Sequence, residues 1–91
     1  MHLNKIATIL KHIGEENRLK IMCVLVSNKN LCVSDIAKKL SLSVASTSHH
    51  LRTLEKNNIL VSSKEGKEVC YRLVDSPIIK DIKKLLCKYA F

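Results

Sequence analysis

Residues Asp35 to Leu54 read DIAKKLSLSVASTSHHLRTL, and this stretch decides the fold. Its opening part has the apolar spacing of a short helix, and the serine-rich SLS segment that follows is typical of a tight turn. Ser43, the last residue of that segment, is a favourable N-cap for a second helix beginning at Val44. The stretch therefore predicts two helices joined by a tight turn.

The second of these helices has one apolar side and one polar side. Val44, Leu51 and Leu54 recur at helical spacing and predict the buried side. The other side carries hydroxyl, imidazole, guanidinium and ammonium groups, which are the groups that reach base edges and phosphates. The candidate DNA contacts in this region are Ser43, Ser46, Thr47, His49, His50, Arg52 and Lys56.

A basic β-hairpin is predicted directly after these helices. Two short alternating runs cover residues 59–63 and 69–74, and Gly66 lies in the turn between them, where it can supply a positive φ. A hairpin in this position predicts a wing, and its candidate phosphate contacts are Lys64, Lys67 and Arg72. Cys70 lies on the same side of its strand as Arg72, so we expect it to face outward and to have no role.

Further helices flank this region, and the predicted fold class is mainly α with a small β-hairpin: a winged helix-turn-helix of five helices plus a wing. The first and last helices carry apolar stripes that so small a core cannot cover, which predicts a homodimer. The chain is expected to be one domain, 1–91, with the helix-turn-helix at 34–57, the wing at 59–74 and dimerisation helices at 1–14 and 76–91.

The composition favours a polyanionic partner. Lys and Arg number 16 against 8 Asp and Glu, which gives a formal charge of +8. The hydrophobic share of 46% excludes a disordered basic tail. Neither a membrane-spanning run nor a signal peptide is evident, so we expect a cytoplasmic protein that binds double-stranded DNA and no membrane.

The runs 32–37 and 46–54, the wing turn 64–67 and the segment 71–73 together resemble the ArsR/SmtB repressors, most closely their cadmium-sensing branch. The resemblance implies a homodimeric winged-helix repressor. The first and last helices would form the dimer interface, and the fourth helices would enter successive major grooves of a palindromic, inverted-repeat operator. Inducers of the family bind the dimer, often at metal sites, and lower its affinity for DNA.

The family's two standard metal sites are incomplete in this sequence. One needs a Cys-x-Cys pair, but Ser34 follows Cys32 where the second cysteine belongs. The other begins with an acidic residue at Asp75, but Pro77 replaces its first histidine, and Lys88 and Phe91 stand where the later ligands belong. We therefore predict no cofactor and no standard metal site, with Cys32 as the one candidate metal ligand.

The remaining inducer chemistry is that of thiols. The helix around Cys23 resembles the second helix of thiol-sensing family members, whose partner cysteine lies near the end of the last helix. Cys87 lies about one helical turn earlier than that position, an offset of about 5 Å. Cys23 and Cys87 are therefore candidate redox-sensing residues. The alternative is that Cys23 is simply a small buried hydrophobic residue. The small inducer itself is unknown.

Other function classes stay open from the sequence. A metal-responsive repressor for zinc, cadmium or arsenic would need a non-standard site, and a constitutive winged-helix regulator would need none. A winged-helix module could instead bind a protein or RNA. An enzyme is not predicted, because the sequence offers no nucleophile triad, phosphate-cradling glycine loop or convincing acid pair.

Overall fold

The structure, a computed structural model, describes residues 2–90 and confirms the predicted fold of five helices with a β-hairpin wing. Within that range no helix has the length and apolarity needed to cross a membrane. The elements are α1 (Leu3–Ile13), α2 (Glu16–Ser27), β1 (Leu31–Cys32), α3 (Val33–Leu40), α4 (Val44–Lys56), β2 (Leu60–Glu65), β3 (Glu68–Leu73) and α5 (Pro77–Tyr89).

Serine side chains fix where two of the helices begin. The Ser43 hydroxyl accepts the backbone N–H of Ser46 at 3.0 Å, and the Ser76 hydroxyl accepts that of Ile79 at 3.4 Å. Each bond satisfies a backbone donor that the first turn of a helix leaves without a partner. Pro77 is the first residue of α5, the position at which a missing N–H costs nothing.

The hairpin belongs to a three-stranded antiparallel sheet with the order β1-β3-β2. β1 is an edge strand of this sheet, and it pairs with β3 in a defined register, Leu31 opposite Tyr71 and Cys32 opposite Cys70. Cys70 is consequently fully buried, and the expectation that it is exposed is wrong. Cys32, its neighbour across the sheet, lies directly against Cys70.

The two strands of the wing extend closer to the turn than predicted. β2 continues to Glu65, which pairs with Glu68, so only two residues form the turn. Gly66 in that turn has φ of +65°, the left-handed conformation that glycine adopts most readily. The predicted glycine turn is thus present, but it is tighter than the four residues expected.

α2 is the central helix of the core. It packs against α1, α3, α4, α5 and β3, and its Ile21 and Met22 are fully buried. Other fully buried core residues are Ile36 of α3, Leu51 and Leu54 of α4, Ile59 just before β2 and Ile79 of α5. The helix-turn-helix and the wing are therefore built on one shared core.

The outer surfaces of α1 and α5 stay apolar. Leu3, Leu10, Leu85 and Tyr89 are large hydrophobic side chains with exposed fractions between 53% and 83%. These four residues lie on the two helices whose apolar stripes the sequence predicted to be left uncovered by the core. Burial of such side chains against a second molecule would be favourable, at about 25 cal/mol per Å² of apolar surface.

Candidate nucleic-acid interface

The turn between α3 and α4 sets the direction of the second helix. Ser41 adopts the left-handed conformation, with φ of 55°, and ends α3. The Leu42 N–H then donates to the Ala37 carbonyl at 3.0 Å, which closes the end of the helix. With Ser43 capping α4, the backbone of the turn is satisfied from both sides.

The outward side of α4 carries the predicted polar groups. His49, Arg52 and Lys56 are exposed and share this side, while Ser46 is half-buried at the first turn. The Thr53 hydroxyl, which also lies on this side, donates to the His49 carbonyl at 3.0 Å and so is occupied within its own helix. Imidazole, guanidinium and ammonium groups thus make up most of the free polar surface of α4.

Thr47 does not belong to that surface. It is fully buried together with Leu51 and Leu54, because residues four and seven positions apart lie on the same face of a helix. Its hydroxyl has no hydrogen-bond partner among residues 2–90. Val44 differs in the opposite sense: it was expected in the core, but at the first turn of α4 it is 58% exposed.

His50 faces the interior rather than the outward side of α4. Its side chain is 15% exposed, and its Nδ1 lies 4.0 Å from the Glu15 carboxylate at the start of α2. The Nδ1 atom has no hydrogen bond within the part of the chain that the structure describes. This position joins α4 to α2 and removes His50 from the surface formed by His49 and Arg52.

One side-chain contact ties the wing to α4. The Ser62 hydroxyl of β2 donates a short hydrogen bond to the Glu55 carboxylate of α4. Both residues are half-buried, so the contact is partly shielded from water. The wing is thereby held at a defined position beside the outward side of α4, with Lys64 and Lys67 exposed near its tip.

Arg52 lies at this junction of α4 and the wing. Burial raises the pKa of the Tyr71 hydroxyl, the nearby Glu55 carboxylate raises it further, and the Arg52 guanidinium lowers it. Charges act on a buried group in this way only at short range. The Arg52 guanidinium and the Glu55 carboxylate are thus both charged neighbours of the Tyr71 hydroxyl.

Arg72 is separated from the wing lysines. It pairs with Val61 whereas Lys64 pairs with Val69, so strand alternation puts Arg72 and Lys64 on opposite faces of the hairpin. Arg72 instead lines a cleft with Lys29 and Lys83. Lys64 therefore shares the face of Ser62, the residue that contacts α4, whereas Arg72 lies on the other face.

The residues at the family's standard metal positions do not fit a metal. The Ser34 hydroxyl is occupied as a donor to the Glu68 carboxylate at 2.5 Å. Asp75 forms an ion pair with the Lys80 ammonium at 3.2 Å, and the Lys88 ammonium is itself a cation. Phe91 lies outside the described residues. Neither donor set offers the two or more soft or nitrogen ligands that a thiophilic ion needs.

Two of the four cysteines are bonded to each other, and the other two are free thiols. Cys32 and Cys70 are joined by a disulfide, whereas Cys23 is a half-buried free thiol and Cys87 an exposed one. Burial raises the pKa of the Cys23 thiol, and the negative charge of the Cys87 thiolate raises it further. The helices that carry these two thiols, α2 and α5, pack against each other, and the thiols are not bonded.

Comparison with a family model gives a match over residues 15–62 to the description "Bacterial regulatory protein, arsR family". The cadmium resistance transcriptional regulatory protein CadC of Listeria innocua is 45% identical over 88% of this chain. The chain spans 62% of the length of that relative. An uncharacterized HTH-type transcriptional regulator of Methanocaldococcus jannaschii is 38% identical over 90% of this chain and 91% of its own length.

Comparison with solved structures gives the same architecture. HlyU from Vibrio cholerae superimposes with a TM-score of 0.88 at 33% identity, and the alignment covers 100% of both chains. In the sequence comparison the transcriptional activator HlyU of that organism is 31% identical over 92% of this chain and 80% of its own length. The similarity thus extends over all the elements described above, from α1 to α5.

Proposed function

Because the chain belongs to the arsR family of bacterial regulatory proteins, we propose that it is a transcriptional repressor that binds double-stranded DNA as a homodimer. One observation carries this proposal: α4 and the wing beside it expose lysine, arginine and histidine side chains in a chain with a formal charge of +8. Positive side chains in this arrangement neutralise phosphates and supply most of the affinity for DNA. Such a role corresponds to a cytoplasmic location.

α4 would lie in the major groove with its N-terminal half toward the bases. Ser46 and His49 are suited to base edges, and Arg52 to a guanine or a phosphate. Contacts to the backbone would come from Ser43, Lys56, Lys64 and Lys67. Thr47 is left out of this set because it is buried, His50 because it faces Glu15, and Arg72 because it lies on the other face of the hairpin from Lys64.

Dimerisation through α1 and α5 would present two α4 helices to one duplex. The exposed leucines and Tyr89 of these helices supply the apolar surface that a stable interface needs. A two-fold symmetric dimer reads an inverted repeat, with half-sites about one helical turn apart. The operator is therefore expected to be palindromic.

Release from DNA would be triggered through the thiols of Cys23 and Cys87. The packing of α2 against α5 supports this pairing, because these two helices carry Cys23 and Cys87. Oxidation by a polysulfide would join the two sulfurs and transfer their hydrogens to the reduced donor. Because α5 is also a dimer helix in this proposal, a new bond there would alter the spacing of the two α4 helices.

Fluorescence anisotropy on labelled DNA from the chain's own promoter tests these steps in sequence. The reduced protein should bind this DNA more tightly than a scrambled duplex at the same salt concentration. A polysulfide donor should then release it, dithiothreitol should restore binding, and Cys23→Ser or Cys87→Ser should abolish the response. Cys32→Ser with Cys70→Ser is the matched control and should still respond.

The outcomes separate the alternatives. Equal affinity for promoter and scrambled DNA would favour the alternative that the chain is a winged-helix module that binds a protein or RNA. Specific binding that no donor changes would indicate a constitutive or metal-responsive regulator. Transcription in vitro from the same promoter distinguishes repression from the activation implied by the name of HlyU, because the protein should lower transcript yield.

A further inference from the structure

A group of sulfur and carboxylate ligands lies on one face of the sheet, outside the proposed DNA contacts. Cys32 of β1 and Cys70 of β3 are direct cross-strand partners and are joined by a disulfide. Glu65 of β2 brings a carboxylate oxygen within 4.8 Å of both sulfur atoms. After reduction of the disulfide, two thiols and one carboxylate would therefore share a small volume.

Neighbouring side chains hold the Glu65 carboxylate in place. The Asn30 amide donates to Oε2 of Glu65 at 2.7 Å, and the Ser63 hydroxyl donates to the same oxygen at 3.4 Å. Residues 2–90 provide no hydrogen bond to its other oxygen, Oε1. Hydrogen bonds of this kind orient carboxylates that bind metals, and here they leave one oxygen free to do so.

The charges around this group favour a bound cation. Glu65 lies directly opposite Glu68 across the hairpin, and like charges in such a pair destabilise a sheet. Among the side-chain hydrogen bonds of residues 2–90, the Glu68 carboxylate accepts only one, from the Ser34 hydroxyl, which carries no charge. A positive ion beside Glu65 would offset this repulsion.

From these contacts we infer that reduced Cys32 and Cys70, together with Glu65, form a binding site for a thiophilic divalent cation of the zinc and cadmium class. Two thiolates and a carboxylate are accepted ligands of such ions, and water can complete a tetrahedral shell. The site differs from the family's Cys-x-Cys arrangement, because its second thiolate comes from across the sheet rather than from position 34.

The chemistry of binding is a balanced exchange of protons for metal. Each thiol gives its proton to solvent as a metal–sulfur bond forms, so one divalent ion releases two protons. The disulfide is the competing state, and a thiol or phosphine reductant must first add two electrons and two protons to it. Oxidation therefore closes the site, and reduction opens it.

The ion would join two parts of the proposed DNA-binding surface. Cys32 is the N-cap residue of α3, the first helix of the helix-turn-helix, whereas Glu65 ends β2 at the tip of the wing. Bonds from one ion to both residues would fix the wing tip relative to α3. This link is independent of the α2–α5 pair.

Two double variants of the full chain divide the four cysteines and test the site. C23S/C87S keeps the sheet pair, and C32S/C70S keeps the helix pair. Both are reduced with a phosphine and titrated with Cd²⁺ without oxygen, and cadmium–thiolate charge-transfer absorption and native mass report binding. We expect C23S/C87S to bind one ion per chain, and C32S/C70S to lose that binding or weaken it at least tenfold.

Two further comparisons stay within the C23S/C87S background, so a difference in folding between the two double variants does not affect them. The disulfide form of C23S/C87S has the same sequence as its reduced form and should bind no Cd²⁺ until reductant is restored. Glu65→Gln in the same background should weaken binding by about tenfold or more.

Several results would overturn the site. Equal affinity of the two double variants for Cd²⁺, absence of binding by reduced C23S/C87S, or equal binding by its oxidised form would each do so. An unchanged affinity for Cd²⁺ after Glu65→Gln would show that the Glu65 carboxylate is not a ligand of the site. Since no DNA is used, none of these results bears on whether the protein is a repressor.

Discussion

Two halves of the molecule hold one cysteine pair each, and the fold joins the two pairs in different ways. The helical half consists of α1, α2 and α5, and its Cys23 and Cys87 are free thiols on two helices that pack together. The helix-turn-helix half consists of β1, α3, α4 and the hairpin, and its Cys32 and Cys70 are bonded. Strand pairing fixes sulfur positions through backbone register, whereas helix packing does not by itself fix which thiols can bond.

Opening the sheet disulfide should have the largest effect on stability. The bond closes a loop with a sequence separation of 38 residues. Loop-closure entropy then predicts that reduction lowers the free energy of unfolding by about 4 kcal/mol. Urea denaturation of C23S/C87S, oxidised and reduced, measures this without a change in sequence. C32S/C70S serves as the control and should not respond to reductant, and a loss below about 1 kcal/mol for C23S/C87S would contradict the loop-closure argument.

The helical half should respond to a charge on its apolar surface by losing the dimer. Leu85→Glu replaces a side chain that is 58% exposed on α5, and we expect dimerisation to weaken by about 2 kcal/mol or more if it is central to the interface. Sedimentation equilibrium of the reduced protein checks this. Val69→Glu is a matched control, since Val69 is an exposed hydrophobe of the wing. The same dissociation constant for both variants would separate α5 from the dimer interface.

The helix-turn-helix half should respond to the loss of a single cation by losing affinity for DNA. Arg52→Ala is expected to cost about 1–3 kcal/mol if the guanidinium makes a bidentate contact with a base. Lys84→Ala removes the same charge from α5 and should change affinity little at physiological salt. Anisotropy with promoter DNA at one fixed salt concentration measures both. If the two variants bind alike, Arg52 makes no base contact.

The elements that the sequence predicted well depend on local patterns. Serine caps, one glycine turn and the 3.6-residue period of α4 are properties of short segments, and they located the helix-turn-helix and the wing to within a few residues. The resemblance of the runs 32–37 and 46–54 then identified the family, which the comparisons confirmed. Local signals sufficed because each of these elements is capped or turned by its own residues.

The features that the sequence missed depend on contacts between distant segments. Leu31 and Cys32 form a strand only because β3 is beside them, so neither the burial of Cys70 nor its bond could be deduced from its own strand. Thr47 was placed among the DNA contacts by residue type, although its position relative to Leu51 and Leu54 put it on the buried face. For Thr47 the signal was present in the helical period; for Cys70 it required the sheet register.

The smallest predicted effect concerns Glu15, which touches both halves. It caps α2 by accepting the Arg18 N–H at 2.9 Å, and its carboxylate lies 4.0 Å from His50 of α4. The backbone N–H of Arg18 holds the pKa of Glu15 below its ordinary value of 4.5, against the opposing effect of burial. A lowered pKa means that the unfolded chain binds this proton more readily, so the stabilisation is present above pH 4.5 and is lost as pH falls through the folded pKa.

Glu15→Gln keeps an oxygen acceptor for the cap but removes the charge. At neutral pH we expect the variant to be less stable than the original chain by about 0.5–1 kcal/mol, the range of a modest helix cap. The difference should shrink as pH falls below 4.5, because the original carboxyl then becomes neutral as well. Urea denaturation across this pH range checks the trend, and Glu16→Gln, an exposed neighbour outside the cap, is the control. A difference that persists unchanged in acid would mean that the cap stabilises α2 through its shape alone, and that the charge of Glu15 contributes nothing to the contact between the two halves.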